Sequence, residues 1–337
     1  MMRSKPTNIG VVAIGRNEGD RLKDCLHSLL KEVDLIVYVD SGSTDNSPEF
    51  ARSVGIETVE LDLSTPFTAA RARNAGFYRL LEICPDLEFV QFVDGDCELA
   101  AGWLEQGIEV CQSQPQLGVV CGRRREKFPE ASIYNLLCEL EWDIPSGEVK
   151  SSMGDALMRV TAFAEVNGYN SSLIAGEDPE LCIRLRQQGW KILRLGADMT
   201  CHDAEMTRFS QWWKRTVRAG YAYAEGAWMY GHTPEKHWVK ESRRIWLWGF
   251  WIPVFSIFGI GFVGLWSLLL LIGYLIQWAK IFRFYQTYSW NFRENLLYSG
   301  FCVLAKFPEL FGQIQFHRDR LLKRQAVLIE YKTSTSL

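Results

Sequence analysis

Apolar residues in the first hundred positions come in short bursts. Ile9 to Ile14, Leu35 to Val39 and Phe89 to Val93 are nearly unbroken apolar runs, the pattern of strands buried on both faces. Glu57 to Leu61 reads as a further strand. Between these runs the period lengthens. Leu22, Leu26, Leu29 and Leu30 recur at helical spacing behind Asp20, which is placed as an N-cap. Ser47-Pro48 supplies a cap and a first-turn proline. Thr68 to Cys84 reads as a helix that carries Arg71, Arg73 and Asn74 early. Strand and helix alternating through short polar loops predict a parallel sheet with crossover helices. Further on, Leu117 to Cys121 and Ile192 to Leu195 read as strands. Gly176-Glu177-Asp178-Pro179 opens a helix, with Asp178 as N-cap, Pro179 at N1, Leu181 and Leu185 on its apolar face and Gly189 at C′.

The pattern changes in the last third. Residues 245–279 contain no Asp, Glu, Lys, Arg or His and include Trp246, Trp248, Trp251, Trp266 and Trp278. That exceeds the roughly 20 apolar residues a helix needs to cross a bilayer. Helices of globular proteins are seldom apolar all round over such a length. Arg243-Arg244 precede the run, and Lys280 and Arg283 follow it. Basic flanks stay on the cytoplasmic side. A helical hairpin turning near Gly259 to Gly264 is therefore expected in place of a single crossing. Leu296 to Ala305 is a shorter apolar run, and 296–312 is expected as an interfacial or re-entrant helix. Trp212, Trp213, Tyr221, Tyr223, Trp228 and Tyr230 precede the membrane run, either as rings at headgroup level or as packing. The basic tail from Arg318 to Arg324 is expected to be cytoplasmic.

The 337 residues carry a net charge of -3, so no global basic field points to nucleic acid. Nine cysteines form no Cys-x-x-Cys pair and no zinc spacing, and read as reduced cytosolic thiols. The N-terminus lacks the apolar core of a signal peptide. Arg123-Arg124-Arg125-Glu126-Lys127 is a charge run and is expected to be a solvated loop. The strand-and-helix half carries neither a Gly-x-Gly-x-x-Gly nor a Walker motif, so any bound phosphates are expected to be held by metal.

Chemistry concentrates at Asp94-Gly95-Asp96, which ends the Phe89 run. Carboxylates at the carboxyl end of such a strand lie where open α/β sheets bind ligands. A turn through Gly95 lets the two side chains converge, and hard oxygen ligands suit Mg²⁺ or Mn²⁺. The plain alternative is an Asp-Gly turn that ends a strand. Asp178 reads as a cap, a base, or both. His202, following the Ile192 run, reads as a structural histidine or a metal ligand.

In order along the chain, these segments resemble family 2 glycosyltransferases of GT-A fold with a C-terminal membrane region. Arg16-Asn17-Glu18 resembles the family's first nucleotide-contacting loop, and Val39-Asp40-Ser41-Gly42-Ser43-Thr44-Asp45 its second. Ala72-Arg73-Asn74-Ala75-Gly76 is similar to its Ala-Arg-Asn-x-Gly helix and Asp94-Gly95-Asp96 to its Asp-x-Asp motif. Gly176-Glu177-Asp178, with Leu181 and Arg184 after it, is similar to its catalytic-base motif. The resemblance implies an α/β catalytic domain over 1–231 and a membrane-associated region over 232–337. It implies an inverting, metal-dependent transfer of one sugar from a nucleotide-sugar donor to a hydroxyl acceptor, lipid-linked or on a growing glycan. Asp178 is then the base. Asn17, Glu18, Asp40, Arg73, Asp94 and Glu177 bind substrate, with Asp40 on the donor's base. Asp96, His202 and Asp94 hold Mn²⁺ or Mg²⁺. The enzyme is expected at the cytoplasmic membrane, with its catalytic domain in the cytoplasm. Two departures stand out. Ile14-Gly15-Arg16 replaces the proline and aromatic residue many members carry before Asn17-Glu18. Gln211-Trp212-Trp213-Lys214-Arg215 lacks the Gln-x-x-Arg-Trp pattern of processive synthases. A non-catalytic nucleotide-sugar or lipid binder and a nucleotidyltransferase are the alternatives. Intact Asp94, Asp96 and Asp178 weigh against the first, and the missing glycine-rich basic loop against the second.

Overall fold

The computed structural model describes residues 8–324 and 329–330. The chain forms two compact units, Met1–Phe128 with Glu141–Ala204, and Pro129–Leu140 with Glu205–Leu337. The division falls at Ala204, upstream of the expected residue 231.

The first unit is built on one sheet. Its strands are β1 (Ile9–Gly15), β2 (Ile36–Asp40), β3 (Glu57–Glu60), β4 (Phe89–Asp94), β5 (Cys97–Leu99), β6 (Leu117–Glu126), β7 (Gly147–Glu148), β8 (Ala156–Arg159) and β9 (Lys191–His202). Their order is β3-β2-β1-β4-β8-β6-β9-β5, with β7 paired to β9. β1 to β4 are parallel, and β8 runs antiparallel between β4 and β6. Covered on both faces, β1, β2 and β4 are apolar along most of their length, with Gln91 a buried exception, and Val12, Val37, Val90 and Phe92 are fully buried. The connecting helices are α1 (Asp20–Glu32), α2 (Ser47–Ser53), α3 (Ala69–Ile83), α4 (Trp103–Ser113), α6 (Val160–Glu165) and α7 (Glu177–Gln187), while α5 (Ile133–Trp142) belongs to the second unit as far as Leu140. The chain steps from β1 outward through β2 to β3, then returns to place β4 on the other side of β1. The loops after β1 and β4 therefore flank a topological switch point, where open α/β sheets bind ligands.

Two expected caps are corrected. Asp20 is the first residue of α1 behind Gly19, and its carboxylate pairs with Lys23 one turn on, at 2.8 Å. Asp178 is the second residue of α7. The N-cap is Gly176, whose left-handed φ of 81° starts the helix earlier, and the Asp178 carboxylate turns to Arg73. Gly189, φ 90°, follows the C-cap Gln188 as expected. Ser47 and Pro48 open α2 behind Asn46, and Asp45 Oδ1 accepts from the Ser47 N–H at 3.0 Å.

The second unit is helical. It contains α8 (Phe209–Tyr230), α9 (Val239–Trp246), α10 (Ile252–Phe258), α11 (Ile260–Val263), α12 (Ile272–Tyr285), α13 (Phe292–Leu304) and α14 (Lys306–Leu321). α8 lies directly on α14. A Cβ on Gly220 would overlap the Glu309 backbone, and one on Gly312 would overlap Val217. This close approach ties residues from 205 onward to the C-terminal helices. It also alters the expected helix over 296–312: the chain breaks at Ala305, and Pro308 to Leu310 are buried in α14. The six aromatic residues near α8 form no common exposed belt. Trp212 is buried against Phe301 (4.8 Å between ring centroids) and Tyr221 against Phe316 (5.4 Å), while Trp228 is exposed.

Val239–Tyr285 is a 47-residue run of helical turns, long and apolar enough to cross a membrane, with a mean hydropathy of 2.3 in its most apolar stretch. It is not straight. Tyr274 Oη donates to the Trp248 carbonyl, and Ser267 Oγ donates to the Ser256 carbonyl at 2.7 Å. At 1.5 Å per residue, Trp248 and Tyr274 would lie about 39 Å apart on a straight helix. The chain reverses between Gly259 and Gly264, whose φ is 63°.

Candidate active site

The site is assembled at the carboxyl edge of β1, β2 and β4. α3 brings the first cation. A Cβ on Gly76 would overlap Val12 and stand 2.9 Å from Val39, so only glycine lets α3 sit this low on β1 and β2. One turn earlier, Arg73 is carried over the strand ends and is buried. It reaches Asp94 Oδ1 at 2.8 Å, Glu177 Oε1 at 3.0 Å and Asp178 Oδ1 at 3.5 Å. Between them, the Asn74 amide donates to the Tyr169 carbonyl (2.8 Å) and accepts from the Tyr169 N–H (2.9 Å). The Ala72 to Gly76 segment thus divides three tasks: Arg73 serves the site, Asn74 a loop and Gly76 the sheet.

A second cation was not foreseen. Arg124, expected in a solvated loop, lies on β6, which continues to Glu126. Strand alternation buries Arg124 and Glu126 while Arg125 is exposed. Arg124 pairs with Asp155 Oδ2 at 2.7 Å and Asp94 Oδ2 at 3.3 Å. Asp155 is fully buried. Its carboxylate also accepts from the Asp94 N–H (3.0 Å) and Thr200 Oγ1 (2.7 Å), so it braces both the arginine and the end of β4. No sequence motif marked Asp155. Gly154 before it is required, because a Cβ there would press on Arg73 and stand 3.1 Å from Asp94.

The two aspartates of Asp94-Gly95-Asp96 meet different partners. Gly95 packs against β1, its N–H donating to the Ile14 carbonyl at 2.7 Å, and Asp94 faces the two arginines. Asp96 faces β9, with Oδ2 3.1 Å from His202 Nε2. The other imidazole nitrogen lies 3.4 Å from Glu126 Oε2, and the Trp142 ring covers the imidazole edge-on. β6 and β9 run in register here, pairing Arg124 with Thr200 and Glu126 with His202. A histidine oriented by a carboxylate is the usual support for a metal-ligating imidazole. Cys97 shares this cluster, but burial pushes its thiol well up, leaving it protonated and a poor ligand. Five carboxylates (Asp94, Asp96, Asp155, Glu177 and Asp178) meet two guanidiniums in this region. That excess of negative charge and the Asp96–His202 pair fit a divalent cation.

The same crowding separates two acid strengths. Burial pushes the Asp94 carboxyl up, but Arg73 and Arg124 outweigh it and hold its pKa well below the usual carboxylate range. Burial pushes Asp178 up as well. Arg73 opposes this, Glu177 and Asp94 add to it, and the pKa reaches about 7. One carboxylate stays charged while its neighbour is poised to take a proton near neutrality.

The loops after β1 and β2 are knitted to each other. Asn17, with a left-handed φ of 55°, accepts from the Thr44 N–H at 2.7 Å and donates its own N–H to Ser43 Oγ at 2.9 Å. Asp40 is buried. It accepts from Gly42 N–H (2.9 Å), Ser43 N–H (2.7 Å), Ser43 Oγ (2.5 Å) and Tyr38 Oη (2.9 Å). A carboxylate has about four acceptor positions, so Asp40 shapes its loop with all of them. Glu18 pairs with Arg21 at 3.0 Å, and Arg16 stacks on the Phe67 ring at 4.2 Å.

The sequence pattern described as glycosyl transferase family 2 matches residues 11–157, from β1 into β8. The chain is 23% identical over 260 residues to the glycosyltransferase AglE of Haloferax volcanii, covering 73% of this chain and 80% of the relative. Its fold is shared with the mannosyltransferase PcManGT of Pyrobaculum calidifontis, solved with GDP-Man and Mn²⁺. The TM-score is 0.57 at 15% identity, over 94% of this chain and 88% of that one. The chain thus has the mixed α/β GT-A sheet that its motifs implied.

Proposed function

We propose that the enzyme transfers one sugar from a nucleoside-diphosphate sugar to an acceptor hydroxyl, inverting the anomeric centre. The observation that supports this best is Arg73, which joins the ionised Asp94 to the neutral-range base Asp178 at the switch point of the sheet. The loops after β1 and β2 face the nucleoside, with Asp40 holding the second loop in shape and Asn17 tying it to the first. Glu18, Glu177 and Asp94 line the donor side, and Arg73 and Arg124 fix the Asp94 carboxylate. Asp96 and His202 would hold Mn²⁺ or Mg²⁺, which supplies Lewis-acid stabilisation to a leaving diphosphate. Asp178 accepts the proton of the attacking hydroxyl. The new C–O bond forms on the face opposite the breaking bond to the diphosphate, and nucleoside diphosphate leaves with that electron pair. General-base help of this kind is worth about 10²–10⁴-fold.

On this reading the acceptor is met at a membrane. The apolar run between basic flanks supports a lipid-linked hydroxyl, with the catalytic unit on the cytoplasmic side. The test is to incubate full-length enzyme with nucleotide sugars, Mn²⁺ and membrane lipid extract. Release of nucleoside diphosphate with a glycosylated lipid is expected. Pyrophosphate release would point to nucleotidyl transfer, and neither product, despite bound donor, would leave only a binder.

A further inference from the structure

The start of the apolar hairpin carries a feature that the transfer chemistry leaves unused. A groove of about 330 Å³ is lined by Lys236, Val239, Lys240, Arg243, Arg244 and Leu247. Lys240, Arg243, Arg244 and Leu247 follow i, i+3, i+4, i+7 spacing, so α9 presents three cations and then an apolar side chain along one ridge. The other side of α9 is committed to the fold. Ile245 is fully buried, and Ser242 Oγ donates to the Gln313 side chain at 3.0 Å. Lys236 is brought to the groove by a strained turn, in which Lys236 and Trp238 both take left-handed φ, 47° and 53°. Trp238 is pinned there against Tyr223, 5.0 Å between ring centroids. Among the described residues, none of the four cations forms an ion pair with a carboxylate. Directly after this ridge the surface turns apolar: Trp251, Phe255 and Phe258 are exposed.

Unpaired cations that line an apolar-walled groove, one helical turn before a bilayer-seeking segment, match a phosphate carried on a hydrocarbon chain. We propose that this groove binds the phosphate headgroup of an anionic membrane lipid, whose chain runs along the hairpin. The proposal rests on the membrane reading above and adds the ligand and its residues. A cation near an anionic surface adds about 1 kcal/mol, so losing three corresponds to about a hundredfold in vesicle affinity.

The experiment compares binding of the full-length protein to phosphatidylcholine vesicles with and without phosphatidylglycerol. Wild type is expected to bind both and to prefer the anionic vesicles, a preference that high salt removes. The variant Lys240→Gln/Arg243→Gln/Arg244→Gln should bind phosphatidylcholine like wild type but lose about a hundredfold on anionic vesicles. An undiminished preference in a variant that melts like wild type overturns the proposal. The wild-type protein alone provides a second measurement. Inorganic phosphate should compete no better than chloride at equal ionic strength, and specific displacement by it would assign the groove to free phosphate and overturn the lipid. Failure to bind even phosphatidylcholine would sink the membrane reading itself, whereas binding without any anionic preference sinks only this proposal.

Discussion

Arg73 is shared by three carboxylates, and what each loses on mutation differs. Asp178 is not the cap of α7, so Asp178→Asn removes the base without removing a cap. Its kcat is expected to fall by about 10² or more while the melting temperature stays near wild type. Unchanged kcat would take Asp178 off the reaction. Asp155→Asn should behave in the opposite way. It removes the nearer of Arg124's two counter-charges and leaves only Asp94; breaking a buried pair outright costs about 3–5 kcal/mol, so a loss of up to that size is expected as a lower denaturation midpoint. The raised pKa of Asp178 fixes a pH window. The free enzyme's kcat/KM should rise through pH values below about 7 and level off above it, since the base must be ionised. Linkage runs the other way. The folded chain holds a proton there that the unfolded carboxylate, with its ordinary pKa, has released. This group's contribution therefore falls as pH rises toward 7. An acid limb that breaks near pH 4 would exclude a base with a raised pKa. Asp96→Ala should abolish metal-dependent turnover and Mn²⁺-induced thermal stabilisation together. Full activity of that variant in the presence of chelator would exclude the metal.

At the scale of elements, the parallel strands were legible because a strand covered on both faces is apolar along most of its length, as β1, β2 and β4 are. The Arg73 helix and the Asp94 turn were legible because each packs its function into one short segment. Arg124 and Asp155 were not. A run of arginines usually faces water, and only the pairing of β6 with β9 shows that alternation carries the middle arginine inward. Asp155 gains its meaning from Arg124, Thr200 and Asp94, which come from three other strands, a relation that no local pattern encodes. The caps at Asp20 and Asp178 were misplaced because glycine in the left-handed region opened both neighbouring turns earlier. In the second unit, α8 and α14 touch through Gly220 and Gly312. Gly312→Ala should separate them and lower the melting temperature of the full chain, whereas Gly261→Ala, where nothing lies within 4 Å, should leave it unchanged.

For the whole molecule the hairpin sets the topology. From Ile245 to Gly259 the chain rises about 22 Å at 1.5 Å per residue, short of a bilayer core of about 30 Å. On the membrane reading, both arms are expected to enter and leave through one leaflet. A nitroxide at Phe262 should be quenched by lipid-depth probes but not by a soluble reagent on the far side. Cysteines placed at Asn8 and Glu330, with Cys84, Cys201 and Cys302 replaced by serine, should label from the same side. Labelling from opposite sides would require a crossing. The fold-back held by Ser256–Ser267 and Trp248–Tyr274 also bears on how the protein reaches its membrane. A segment that returns to its own side carries no charged residue through the hydrocarbon. Insertion of the finished chain into added vesicles, without a translocation channel to thread it, is the expected outcome.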